Sequence, residues 1–103
     1  MQKPGSALRA GPLSLEVETR EARLDGAALE LTRVEFELLA ALARRPGQAV
    51  SRRWLAEHVL DPDRDGNERT LDVHVSRLRK KLGPLQLIET VWGIGYRLRV
   101  ETP

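Results

Sequence analysis

The stretch 69-RTLDVHVSRLRKKL-82 decides the fold, and it carries the whole excess of positive charge in the chain. At about 100° per residue, Leu71, Val75, Leu78 and Leu82 fall along one side of a helix. Residues 69–81 hold five basic groups against one acid, a net +4 in a chain whose total is +2. The pattern predicts a helix with one buried stripe and one cationic face.

The composition is that of one globular domain. The chain has 103 residues, of which 41% are apolar and 31% charged, and it contains no cysteine that could form a disulfide or a thiolate metal site. No apolar run reaches the roughly twenty residues of a membrane span, and no signal peptide is recognisable. No phosphate-binding glycine motif or triad-like pattern is present. We therefore expect a cytoplasmic protein that is not an enzyme, with no cofactor, metal or membrane contact.

The N-terminal third predicts a small antiparallel sheet. Residues 1–11 show no sustained period and contain proline, glycine and serine, so we expect a linker or disordered terminus there and a domain over 12–103. Apolar and polar residues alternate over 13–18, which is typical of a half-buried strand. Asp25-Gly26 is a good hairpin turn. Together these signals place a sheet over residues 13–31.

Two further helices precede the basic one. Thr32 and Glu35 form a capping-box pattern at the start of the first helix. Ser51 is the expected N-cap of the second helix. The basic helix follows Asn67, and Gly83-Pro84 ends it.

The last segment predicts a basic hairpin. Residues 87–100 are expected to form two strands joined through Trp92-Gly93-Ile94-Gly95, with both glycines at positive φ. Apolar residues in the second strand alternate with Arg97 and Arg99, so one face packs and the other is cationic. A sheet, three helices and a basic hairpin give an α+β fold, a winged helix-turn-helix.

A cationic helix next to a cationic hairpin matches the phosphate backbone of duplex DNA. Charge alone would favour a solvated face, but here helix, hairpin and charge agree. A helix about 10–12 Å across fits the major groove. Arg77 can make paired hydrogen bonds to guanine, Val73 can contact a thymine methyl group, and Thr70 can serve either purpose.

Several residues have two interpretations. Asp72 could accept from a cytosine amino group, but a first-turn acid that favours the helix dipole or orients an arginine is the preferred alternative. His74 either packs at the edge of the buried stripe or contacts a phosphate. Trp92 either packs on the base of the hairpin or lies against the sugar-phosphate backbone. Lys80 and Lys81 either contact phosphates or only raise solubility.

Three linked segments carry a family resemblance. LTRVEFELLAALARRPGQAVSRRWL (31–55), ERTLDVHVSRLRKKL (68–82) and IETVWGIGYRLRV (88–100) together resemble the OmpR/PhoB-type DNA-binding effector domain of bacterial two-component response regulators. The resemblance covers nearly all of residues 13–100. It implies a winged helix with an N-terminal antiparallel sheet, three helices and a C-terminal hairpin, called the wing.

The resemblance also implies roles for individual residues. The major-groove helix spans about 68–82 and the wing about 87–100. Positions at or near base edges are Thr70, Asp72, Val73 and Arg77. The positions near phosphates on the helix are Arg69, His74, Ser76 and Arg79, and we add Lys80 and Lys81 because of their charge. The wing positions near phosphates are Thr90, Gly93 and Tyr96. The wing also includes Trp92 and Arg97. The loop 61–67 corresponds to a segment through which some members contact RNA polymerase.

Two features depart from the family pattern. Trp92 occupies the wing position that is a minor-groove arginine in some members. The polymerase loop contains Asp61, Asp63, Arg64 and Asp65 and no aromatic residue.

The resemblance also implies partners. They are double-stranded DNA with direct repeats, a head-to-tail pair on that DNA, RNA polymerase, and a receiver domain with its sensor kinase that these 103 residues do not contain. A second hypothesis is a winged-helix module whose basic helix docks on an acidic protein partner.

Overall fold

Two antiparallel sheets flank three helices in the computed structural model, which describes residues 7–61, 63 and 66–99. The first sheet has the order β1-β2-β3-β4, with β1 Ala7–Ala10, β2 Leu13–Glu16, β3 Glu21–Leu24 and β4 Ala27–Leu29. The helices are α1 Arg33–Ala43, α2 Arg52–Val59 and α3 Glu68–Leu82, and a 3-10 turn follows over Gly83–Leu85. The second sheet has the order β5-β7-β6, with β5 Val50–Ser51, β6 Ile88–Val91 and β7 Gly95–Leu98. This architecture confirms the predicted α+β winged helix.

The linker predicted over residues 1–11 is wrong for Ala7–Ala10. These residues form β1, which pairs with β2 from Ala7↔Glu16 to Ala10↔Leu13. Leu8 and Ala10 are half-buried against the core. With only four residues, two of them alanines, the alternation of apolar and polar side chains is too short to predict a strand. The strand forms because its backbone pairs with β2. Residues 1–6 lie outside the described residues.

The predicted hairpin at Asp25-Gly26 is confirmed. Asp25 and Gly26 have φ values of 50° and 84°, as a two-residue turn with both central residues at positive φ requires. The turn joins β3 to β4, and Ala22 pairs with Leu29. Sequence patterning therefore placed this sheet correctly from Leu13 onward.

Each predicted helix start is capped as expected. Thr32 Oγ1 accepts from the Glu35 amide at 3.2 Å, and the Thr32 amide donates to Glu35 Oε1 at 2.9 Å, which completes the capping box. Ser51 Oγ accepts from the Trp54 amide, and Asn67 Oδ1 accepts from the Thr70 amide. These caps fix where α2 and α3 begin.

The core stripe of α3 is buried as predicted. Its four members, Leu71, Val75, Leu78 and Leu82, are each at most 2% exposed and join one core with α1, α2 and both sheets. Burying one such side chain contributes about 1.5–3 kcal/mol, so the stripe fixes the rotation of α3 about its axis. None of the helices in the described ranges has the apolar length that a membrane span requires.

The strand β5 was not predicted, and its pairing with β7 explains why residue 95 is a glycine. Val50 and Ser51 pair with Tyr96 and Gly95 of β7. A Cβ atom on Gly95 would lie 2.0 Å from the Val50 carbonyl oxygen, whereas the positive φ expected at both glycines occurs only at Gly93, at 81°. Gly95 is thus required for close backbone approach, and Gly93 for the turn.

We expect Gly95→Ala to lower the free energy of unfolding by about 3 kcal/mol, because β5 and β7 must separate to admit the methyl group. Gly93→Ala is the matched control. It meets no atom within 4 Å, so only the left-handed backbone opposes it, at about 1–2 kcal/mol. Urea denaturation of both variants checks the order, and equal losses would contradict the account of Gly95.

Candidate nucleic-acid interface

The side of α3 opposite its buried stripe forms an open cationic face. Its exposed members are Arg69, Val73, Ser76, Arg77 and Lys80, and the half-buried Thr70 lies at its N-terminal end. Val73, the apolar member of this face, is 44% exposed. Arg69, Arg77 and Lys80 form no ion pair within the part of the chain that the structure describes. Their charges are therefore available to a ligand.

Asp72 holds the helices and the wing together. Its two carboxylate oxygens accept from Arg52 Nε at 3.1 Å and Arg52 Nη2 at 2.5 Å, and Tyr96 Oη donates to Oδ1 at 2.7 Å. Arg52 Nη1 also lies 3.1 Å from Glu68 Oε1. We call Arg52, Glu68, Asp72 and Tyr96 the Asp72 bridge. It joins α2, α3 and β7, and it favours the alternative in which Asp72 orients an arginine.

The ionisation of Asp72 follows from these contacts. Burial alone would raise the pKa of Asp72, but hydrogen bonds from Arg52 and then Tyr96 outweigh it and hold the pKa below its ordinary value of 3.8. Burial and the hydrogen bond to Asp72 raise the pKa of Tyr96, so its hydroxyl remains a donor. The bridge is an ionised carboxylate with charge-assisted bonds at neutral pH.

Arg79 fastens the other side of the wing. Its Nε and Nη2 donate to the Ile88 carbonyl oxygen at 3.1 and 3.0 Å, and Nη2 also donates to Thr90 Oγ1 at 2.9 Å. The guanidinium carbon lies 5.4 Å from the centre of the Tyr96 ring. Three residues predicted to touch phosphates, Arg79, Thr90 and Tyr96, thus contact one another inside the domain.

The two neighbouring lysines of α3 have different surroundings. Lys81 Nζ donates to Glu35 Oε1 at 2.6 Å, and Glu35 is 1% exposed. Burial alone would raise the pKa of Glu35, but the hydrogen bonds from Lys81 and the Thr32 amide lower it overall. Lys80 is exposed on the cationic face. Lys81 therefore ties the end of α3 to the start of α1, while Lys80 is directed to solvent.

The wing tip is apolar and exposed. Trp92 is 90% exposed and Ile94 is 53% exposed, so the alternative in which Trp92 packs on the base of the hairpin is wrong. Arg97 Nε pairs with Glu89 Oε1 at 3.0 Å across the β6–β7 ladder. This pair removes part of the positive charge that the sequence predicted for the outer face. Val100 lies outside the described residues.

The surroundings of His74 and of the described residues in the loop 61–67 are compatible with the roles predicted for them. His74 is half-buried on the flank of α3 that faces α1, which suits both of its interpretations. In the loop 61–67, Asp61 and Asp63 are exposed, and Asp61 Oδ1 accepts from the Asp63 amide at 2.9 Å. Arg64 and Asp65 lie outside the described residues.

Sequence reasoning missed Arg52, the residue that connects α2 to Asp72. Its partner lies 20 positions away, and no local pattern links a basic residue after a helix cap to an acid on the next helix. Trp54, also on α2, is 43% exposed and stacks on His58 with ring centroids 4.2 Å apart. The Arg52–Asp72 contact depends on how α2 packs against α3, whereas Trp54 and His58 stack one helical turn apart on α2.

Comparison with known proteins decides the family. Residues 26–98 match the sequence profile of the family described as transcriptional regulatory protein, C terminal. The chain is an OmpR/PhoB-type effector domain of this family. The Asp72 bridge and the exposed face of α3 are therefore features of an effector domain.

The chain is similar to parts of longer regulators. It is 40% identical over 102 residues to the transcriptional regulatory protein TrcR of Mycobacterium tuberculosis, covering 96% of this chain and 40% of the relative. It is 45% identical over 87 residues to the uncharacterised transcriptional regulatory protein YclJ of Bacillus subtilis, covering 82% of this chain and 38% of the relative. The chain thus spans about two fifths of the length of these relatives.

Solved structures agree with this assignment. The DNA-binding domain of CpxR from Escherichia coli has a TM-score of 0.78 and 37% identity, covering 93% of this chain and 98% of that one. The RstA DNA-binding domain of Klebsiella pneumoniae, in complex with the RstA box, has a TM-score of 0.78 and 32% identity, covering 90% and 96%.

We expect Asp72→Asn to change how stability depends on pH. Because the folded-state pKa is lowered, the contribution of Asp72 is present above its unfolded pKa and is lost as pH falls through the folded pKa. The side chain is 40% exposed, so solvent screening limits the loss at pH 7 to about 1 kcal/mol. The variant should lose less stability than the parent between about pH 5 and pH 2. Parallel declines in urea midpoints would refute the bridge.

We expect Lys81→Ala to cost about 2 kcal/mol of unfolding free energy, because it leaves the buried Glu35 carboxylate without its cation. Lys80→Ala, one residue away, should change stability by no more than about 0.5 kcal/mol. Thermal denaturation of the pair compares the same substitution in two surroundings. A smaller loss for Lys81→Ala than for Lys80→Ala would be inconsistent with the Glu35 contact.

Proposed function

We propose that this domain binds double-stranded DNA sequence-specifically as the effector part of a transcriptional response regulator, with α3 in the major groove. The observation that carries the proposal is the exposed cationic face of α3, whose Arg69, Arg77 and Lys80 form no ion pair with any described residue. The Asp72 bridge holds this face at a fixed angle to the wing. A charged face that contacts only solvent would not need to be held at a fixed angle to the wing. The solved DNA complex of the related RstA domain supports the same assignment.

Three residues are proposed to read bases. Arg77 is exposed at the centre of the face and offers two parallel donors to guanine O6 and N7. Val73 provides an exposed apolar surface for a thymine methyl group. Thr70, nearer the N-terminus of α3, can donate or accept. Asp72 acts through Arg52 and Tyr96, because its oxygens already accept three hydrogen bonds.

A second set is proposed to grip the backbone. Arg69, Ser76 and Lys80 are exposed around the base readers, and Thr90 and Gly93 bring the wing to a neighbouring phosphate. Trp92 lies against the sugar-phosphate backbone, where its exposed ring loses contact with water. Arg79, Lys81 and Tyr96 keep α3 and the wing in place, and His74 approaches the backbone beside α1.

The wider setting is also proposed. The family resemblance supports a receiver domain and a sensor kinase that would control the domain in a longer regulator in the cytoplasm. This chain matches about two fifths of TrcR, a transcriptional regulatory protein. Two copies would bind direct repeats head to tail. The exposed acids Asp61 and Asp63 form the surface proposed for RNA polymerase. Selection of bound sites from a random duplex pool tests the repeat and its spacing.

We expect Arg77→Ala to remove preference for guanine at one position of the selected site, at a cost of about 1–3 kcal/mol there. Lys80→Ala should instead weaken binding to all duplexes alike and reduce the slope of log affinity against log salt by about 1. Mobility-shift titrations over a salt series measure both effects. An unchanged base preference in Arg77→Ala would show that this face does not read bases.

A further inference from the structure

A cationic groove of about 610 Å³ separates the first turn of α1 from the flank of α3. Basic residues from both helices line it: Arg33 from α1, and His74, Arg77, Lys80 and Lys81 from α3. Arg77 and Lys80 belong both to this groove and to the exposed face of α3. The groove therefore opens beside the surface proposed to meet DNA.

Of the four Lys and Arg side chains that line the groove, Arg77 and Lys80 form no ion pair within the part of the chain that the structure describes. Among the described residues that line it, the one acid is Glu35, whose buried Oε1 already accepts from Lys81 and the Thr32 amide. Arg33 pairs with Glu37, which does not line the groove. The distance from Arg33 Nη1 to Glu37 Oε2 is 3.9 Å, at the upper limit for an ion pair. A concave surface with this charge attracts an anion.

Arg33 is not explained by the folding of α1. It is the first residue of the helix, where the macrodipole is positive and a basic side chain is unfavourable. Its side chain is 57% exposed, so it packs little apolar surface. Arg44, at the C-cap of the same helix, lies where a positive charge is favourable. The charge of Arg33 thus suits a ligand better than it suits the helix.

We propose that this groove binds a phosphate group, with Arg33 contacting it from α1 and His74 and Lys80 from α3. The inference rests on the proposed function, because α3 in the major groove brings the open side of the groove to the same duplex. The phosphate is then one of the DNA backbone, and Arg33 adds to it a contact from α1 that the residues proposed on α3 and the wing do not supply. Such a contact adds affinity and fixes orientation but carries no sequence information. A free phosphorylated molecule offers the same chemistry.

The first test compares Arg33→Ala with Arg44→Ala in duplex binding over a salt series. Both variants remove one exposed arginine from α1. We expect Arg33→Ala to weaken binding several-fold on every duplex and to lower the salt slope by about 1, while Arg44→Ala leaves both unchanged. Thermal denaturation confirms that Arg33→Ala remains folded. Identical slopes for the two variants would overturn the DNA contact.

The second test adds inorganic pyrophosphate to the 15N-labelled domain without DNA. Shifts of the amide signals of Arg33 and His74 that vanish in Arg33→Ala but persist in Arg44→Ala support a phosphate site. Their absence, together with equal salt slopes, overturns the inference while leaving duplex binding by α3 intact. If the parent binds no duplex at all, the proposed function fails, and pyrophosphate alone decides whether the groove takes a free phosphate.

Discussion

The carboxylate of Asp72 is the contact on which the geometry of the interface depends. It accepts from Arg52 on α2 and from Tyr96 on β7 while belonging to α3, so one ionised group sets three elements relative to one another. The apolar stripe of α3 fixes the rotation of the helix, and buried residues of β6 and β7 join the same core, but apolar contacts are not directional. Charge-assisted hydrogen bonds are directional, and they set the wing relative to α3. A recognition surface composed of two separate elements needs both.

The cationic residues of α3 divide into two groups by their partners. Arg79 donates hydrogen bonds to the wing and Lys81 donates to Glu35, so both residues stabilise the packing of the domain. Arg69, Arg77 and Lys80 make no ion pair among the described residues and form the free charge of the surface. Sequence alone does not separate Arg79 and Lys81 from Arg69 and Lys80, because all four are cationic, lie on one helix and are predicted to contact phosphates. The folded neighbours of each residue separate structural cations from those available to phosphates.

Much of the fold was predictable from local signals. The caps at Thr32, Ser51 and Asn67, the stripe of α3 and the turn at Asp25-Gly26 depend on residues within one helical turn or hairpin, and all agree with the structure. The strands β1 and β5, the close approach at Gly95 and the partner of Arg52 depend on contacts distant in sequence. The exposed side of α3 was likewise predictable, whereas the pairing of Arg79 and Lys81 inside the domain and the groove beside Arg33 arise only when the elements pack together.

The most direct measurement of the central claim is a titration of the 15N-labelled domain with a selected duplex, followed by amide chemical shifts. The account predicts the largest changes over 69–80 and around the wing turn at 92–94, with the sheet over 13–29 little affected. Signals over 69–80 that stay unchanged while the duplex binds elsewhere would contradict it.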